Sequence, residues 1–185
     1  TFKISGPGGS WELTTDGTGK ISLNNIFIGT YTITEVKAPN NMLNEEAGRT
    51  VNVTVNAGQT VTYTRTNAYQ IGKVTLTKYD ARNRGNTQGD ATVDGADYEL
   101  RAESDIYEGP TKIYSANQTI AKVTTKDGGK TDPVTNLPIG NYYYQEVKES
   151  EGFLLNATRI PVSVGYTGQD NAEATKASVE IGETP

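Results

Sequence analysis

The sequence predicts an all-β protein: two tandem immunoglobulin-like β-sandwiches, the first lacking its N-terminal strand. Three observations lead to this fold class. Strand-forming Thr, Val, Tyr and Ile, with Gly and Asn between them, dominate the 185 residues, and no stretch holds a helical period. One segment occurs twice, as GTYTITEVKAP from Gly29 to Pro39 and as GNYYYQEVKES from Gly140 to Ser150. The repeat is longer than a typical solenoid unit, so each copy should own a core. The third observation is a mismatch. DYEL at Asp97 to Leu100 matches TFKI at Thr1 to Ile4, yet the block from Lys73 to Ala96 has no counterpart before Thr1. Domains are therefore expected over residues 1–70 and 71–185.

Each element follows from alternation or from a turn signal. Phe2 and Ile4 face inward on the first unit's opening strand, and Lys3 faces outward. The glycines from Gly6 to Gly9 turn the chain into a strand from Trp11 to Thr14. Asp16 and Gly17 mark a hairpin, and a strand over Ile21–Ile28 follows, with Ile21 and Leu23 inward. The repeated strand comes next. Ala38 to Asn41 break it, and Met42 and Leu43 pack beneath the loop. Val51, Val53 and Val55 alternate cleanly. After a turn at Asn56 to Gln59, Val61, Tyr63 and Asn67 share the inner face of a closing strand.

Ala68 to Gly72 form a short linker. In the second unit Val74, Leu76 and Lys78 share one face of the first strand, and a polar loop covers Asp80–Gly95. From Asp97 the order repeats: a turn at Lys126 to Gly129, an apolar piece at Val134–Ile139, the repeated strand, and a loop through Gly152 to Leu155. Alternating Ile160, Val162 and Val164 and a final strand with Ala177, Val179 and Ile181 complete it. The Arg101–Lys122 region is longer than its counterpart and reads as an extended hairpin. In the Tyr142–Tyr144 run the middle ring is expected to be exposed.

The repeated strand carries the chemistry. Tyr31, Ile33 and Glu35 share a face, as do Tyr142, Tyr144 and Glu146. That face is apolar, so each strand closes a hydrophobic stripe with a carboxylate, which is costly unless paired or neutral. Lys78 turns the same way. Desolvation favours a neutral amine and a neutral acid, and a neutral amine is a nucleophile. A glutamic acid beside it can donate to a carboxamide oxygen and shuttle protons as ammonia leaves. Burial supplies proximity, with effective molarities of about 10⁵ M. Asn67 is such a carboxamide, with Glu35 as its acid and the lysine partner expected upstream of Thr1. In the second unit Glu146 is the acid and Lys78 the amine, but Glu183 stands in the acceptor slot, where it can form an ion pair and is a poor amide acceptor. The competing reading has both acids at strand ends in solvent, Lys78 snorkelling outward and Asn67 merely ending a strand; duplication of the acid favours the inward one.

The stretch TDGTGKISLNNIFIGTYTITEVKAP at Thr15 to Pro39 resembles the Cna B-type domain (collagen-adhesin B, also SpaA-like pilin) of Gram-positive surface proteins. KVTLTKYD at Lys73 to Asp80 is similar to that family's first strand, and TRTN at Thr64 to Asn67 to its closing strand. The resemblance implies a Lys–Asn isopeptide bond promoted by the glutamate. It carries over to Lys78, Glu146, Glu35 and Asn67. Glu183, the absent first strand, and Glu149-Ser150 in place of Ala-Pro depart from the pattern.

Composition removes other classes. There is no Cys, so no disulfide, and no His, which takes away the commonest general base and metal ligand. The Asp-Gly turns lack calcium-loop spacing. Neither cofactor nor metal is expected. The net charge of −5 argues against nucleic acid, and no apolar run approaches a membrane span. The resemblance implies an extracellular, cell-wall-anchored protein: a stalk or pilus-backbone segment whose partners are neighbouring tandem domains. The alternative is a module binding host extracellular matrix or glycan through the Arg101–Lys122 hairpin. No enzyme is expected beyond autocatalytic self-crosslinking.

Overall fold

The computed structural model describes residues 1–84 and 87–185. Gly85 and Asn86, inside the polar loop expected over Asp80–Gly95, lie outside the described residues. Among the described residues thirteen strands run in order: β1 Phe2–Gly6, β2 Gly9–Leu13, β3 Gly29–Glu35, β4 Thr50–Val55, β5 Ile71–Asp80, β6 Asp97–Ala102, β7 Ile106–Glu108, β8 Thr111–Tyr114, β9 Thr119–Thr124, β10 Val134–Pro138, β11 Gly140–Lys148, β12 Ile160–Val164 and β13 Glu173–Glu183. The chain forms two compact units, one of Thr1–Tyr69 with Gly168–Ala172, the other of Gln70–Thr167 with Glu173–Pro185. The 168–172 segment joins the first unit through Gln169. Its side chain accepts from the Ala38 amide at 2.9 Å and donates to the Val36 carbonyl at 3.3 Å, satisfying backbone groups just past β3.

The second unit is a sandwich of a β12-β11-β6-β9 sheet and a β10-β5-β13 sheet, with β7-β8 as a small separate hairpin. Its first and last strands run parallel, so Lys78 pairs with Ile181 and Asp80 with Glu183. Val74, Leu76, Tyr98, Leu100, Tyr142 and Tyr144 fill the space between the sheets and are fully buried. The β7-β8 hairpin sits inside the Arg101–Lys122 region, between β6 and β9. The middle tyrosine departs from expectation. Tyr143 is buried, because the Arg159 guanidinium lies 4.4 Å from its ring and its hydroxyl donates to Asn117.

The first unit repeats one of these sheets. Its order β2-β1-β3-β4 corresponds to β9-β6-β11-β12. The registers agree as well: Phe2 faces Glu35 as Tyr98 faces Glu146, and Ile4 faces Ile33 as Leu100 faces Tyr144. Even a side-chain bond recurs. The Tyr31 hydroxyl donates to the Phe27 carbonyl at 2.9 Å and the Tyr142 hydroxyl to the Pro138 carbonyl at 2.6 Å, each reaching back across the glycine that opens its strand.

The second sheet of the first unit is a different matter. Residues 20–28 and 58–68 form no strand, against the expectation of strands over Ile21–Ile28 and Val61–Asn67. Phe27, Ile28 and Val61 are exposed. The reason is visible in the second unit, where β10 and β13 pair only with β5. No described strand of the first unit takes the place of β5. Without that central strand neither neighbour has a ladder, whatever its own alternation. Several inner-face residues of the first sheet, Ile33, Val51 and Val53 among them, therefore stay half-exposed.

Candidate functional site

Each repeated strand delivers its glutamate to the same end of its sheet, where alternation turns it toward the apolar side. Glu35 and Glu146 are both buried. What meets them differs.

In the second unit Lys78 arrives from β5 with its side chain wholly shielded from solvent. Its Nζ lies 2.9 Å from Glu146 Oε1 and 2.5 Å from Glu183 Oε2, and 4.6 Å from the centre of the Phe153 ring. The second oxygen of Glu146 accepts from the Asn156 amide at 2.7 Å, and Glu183 Oε1 accepts from the Tyr98 hydroxyl at 3.2 Å. Burial first, then the Glu183 and Glu146 carboxylates, push the Tyr98 phenol well above its ordinary value, which keeps it a donor. Gly129 fixes the lysine strand from outside the ladder. Its carbonyl accepts from the Lys78 amide at 2.8 Å. Its φ is +83°, and a Cβ there would stand 2.0 Å from the Lys78 carbonyl oxygen.

In the first unit the acid and the carboxamide meet. Asn67 Nδ2 donates to Glu35 Oε2 at 2.8 Å and to the Leu43 carbonyl at 3.0 Å. Asn44 donates to the Glu35 backbone carbonyl at 3.1 Å. The cation at Glu35 is Arg65, whose Nε lies 3.3 Å from Oε2 and whose Nη1 pairs with Glu46. Among the described residues no lysine ion-pairs with Glu35, and Lys3 faces solvent as its alternation predicts.

The structure thus brings Glu35 to Asn67, and Lys78 to both Glu146 and Glu183. An amine beside a carboxamide and an acid can exchange ammonia for a new amide. The second unit has the amine and acid but a carboxylate acceptor; the first has the carboxamide and acid but a guanidinium, which is never a nucleophile at ordinary pH. Sequence reasoning missed Arg65, Phe153 and Tyr98. The Arg65 signal was present, since it lies two positions before Asn67 and so on the same face. Among the described residues no group of three or more acidic, His or Cys side chains is placed to hold a metal ion, and no helix is long and apolar enough to cross a membrane.

Duplicated sheet topology, matching registers and a buried glutamate at the end of the same strand in each unit define a tandem array of prealbumin-like β-modules. The chain belongs to the SpaA prealbumin-like fold domain family, which matches it over residues 1–69 and again over 72–178. Among solved structures, the Bacillus anthracis TIE protein superimposes with a TM-score of 0.70 at 21% identity, over 99% of this chain and 30% of that one. The chain therefore spans only a minor part of that relative. The backbone protein of group B streptococcus pilus 2b gives a TM-score of 0.43 at 17% identity, over 89% of this chain and 51% of the other. A streptococcal ancillary pilin gives 0.40 at 20% identity, over 100% and 57% respectively. At 21% identity the likeness to the TIE protein is one of fold. No curated protein matches the sequence.

Proposed function

We propose that this chain is a load-bearing segment of an extracellular, cell-wall-anchored surface protein, a stalk or pilus-backbone piece stacked on neighbouring modules of its own kind. The first unit closes covalently when a lysine-bearing strand from outside these 185 residues pairs with the 60–67 segment. The lysine amine attacks the Asn67 carboxamide carbon, the new C–N bond forms, the bond to Nδ2 breaks, and Nδ2 leaves as ammonia. Glu35 carries the protons from amine to leaving group. The second unit closes without a covalent bond, through Lys78 held between Glu146 and Glu183. Such links would carry tension in a chain without cysteine, as disulfides do elsewhere. The protein modifies itself once and turns nothing over.

The observation that carries this reading is the 2.8 Å bond between Asn67 and Glu35 at the strand position where the second unit holds Lys78 against Glu146. The test is intact mass of the chain with a lysine-bearing first strand joined ahead of Thr1. A single loss of about 17 Da is expected without added catalyst. Glu35→Ala should retain the full mass. A full mass with Glu35 intact would end the covalent reading. A second reading has one supporting feature: Tyr107 on the β7-β8 hairpin is exposed beside Lys112, a surface suited to glycan or matrix contact. Binding lost on trimming that hairpin would favour it.

A further inference from the structure

We infer that Arg65 is a place-holding cation: it occupies the amine's position at Glu35, holds the cross-linking site shut, and is displaced when the lysine arrives. The inference rests on the covalent reading of the first unit and adds the step that regulates it.

The geometry carries it from both ends. In the second unit the cation facing the repeated glutamate enters from the first strand, with Lys78 Nζ 2.9 Å from Glu146. In the first unit the cation enters from the acceptor's own segment, with Arg65 Nε 3.3 Å from Glu35. A buried carboxylate left without a partner is costly, so an open module needs a substitute cation. A lysine in that role would bring an amine to the carboxamide. An arginine satisfies the acid and cannot attack, because its guanidinium does not lose its proton.

Asn67 is turned to match. Its Nδ2 donates to Glu35 Oε2 and to the Leu43 carbonyl, so both hydrogens are used and the amide oxygen faces away from the acid. The Leu43 carbonyl can only accept, which fixes that orientation. Cross-linking needs the reverse, with the acid donating to the amide oxygen. Arg65 also has somewhere to go. It already pairs with Glu46, which is more exposed, and reaches Asn44 Oδ1 at 3.5 Å. An incoming amine takes the Glu35 contact while the guanidinium keeps the outer one.

The test uses the full 185-residue chain and a synthetic peptide, IGKVTLTKYD, which copies Ile71–Asp80. The second unit offers this peptide no carboxamide at Lys78, so the adduct should map to Asn67, with a mass of chain plus peptide less about 17 Da. Coupling rate is followed against peptide concentration for the wild type, Arg65→Met and Arg65→Gln. Removing one charged competitor should lower the half-saturating concentration about tenfold in both variants and leave the saturating rate within about twofold. An unchanged half-saturation with normal adduct in all three proteins overturns the place-holder and leaves the covalent reading standing. A lower saturating rate in the variants also overturns it, since Arg65 would then assist the chemistry. No adduct from any of the three, at any concentration, overturns the covalent reading and the place-holder with it.

Discussion

The two modules present the same acid on the same strand in the same register, and they part company at the group each acid meets. Glu146 meets an amine from β5, and Glu35 meets a carboxamide and a guanidinium from the segment that should be the closing strand. Each module holds a group that the other lacks, an amine in one and a carboxamide in the other. The difference teaches that a buried glutamate on this fold is not by itself a cross-linking site. It is a socket, and on the function proposed above the identity of two neighbours decides whether the socket holds an ion pair or forms a bond.

The sharpest way to break the comparison is to remove the cation from each. Lys78→Met strands two buried carboxylates, and the second unit should lose about 3–5 kcal/mol in denaturant unfolding. Arg65→Met leaves one buried carboxylate that still accepts from Asn67 and should cost the first unit less, about 1–3 kcal/mol. Equal losses would mean the two sockets are not energetically distinct. A smaller effect than that of Lys78→Met comes from the glycines. Gly129→Ala combines a left-handed φ with a clash on the Lys78 backbone and should cost about 2 kcal/mol or more. Gly48 in the first unit has a similar φ of +77° but open space around it, so Gly48→Ala should cost about 1 kcal/mol.

Smaller still is the phenol at the socket. Phe2 stands where Tyr98 does, without the hydroxyl. Tyr98→Phe removes one donor to Glu183 and should cost the second unit about 1 kcal/mol by thermal melting. The same phenol predicts a pH dependence. Burial is the leading cause that raises Tyr98, Tyr142 and Tyr144 above the ordinary value of 10.0. In the unfolded chain they titrate at that ordinary value. Their contribution to stability is therefore complete below about pH 10 and is lost as the pH rises past it. Melting temperature of the second unit between pH 8 and 11 checks the sign.

Much of this was legible because strands alternate strictly. Glu35, Glu146 and Lys78 follow apolar residues at intervals of two, and that pattern, with the duplication of the acid, places them inside. Asn67 follows Val61 and Tyr63 in the same way, and it reaches Glu35 even though no strand forms there. What alternation does not encode is whether a neighbour exists to pair with. Ile21 to Ile28 and Val61 to Asn67 read as strands, yet a ladder needs a partner, and the place of β5 in the first unit is taken by no described strand. Tyr143 was misjudged for a related reason: alternation turns it outward, but Arg159 and Asn117, distant in sequence, cover it. Arginine in a polar run reads as solvated, and for Arg65 only the spacing to Asn67 says otherwise.

The central claim is that in the second unit, where the amine and the acid already meet, the acceptor atom alone separates an ion pair from a cross-link. Glu183→Gln tests it within the existing chain, because it replaces a carboxylate oxygen 2.5 Å from Lys78 Nζ by a carboxamide of equal length. Intact mass should then fall about 17 Da below the value calculated for the variant sequence, and restoring Glu183 or adding Glu146→Ala should abolish the loss. A Glu183→Gln chain that folds and keeps its full mass would contradict it.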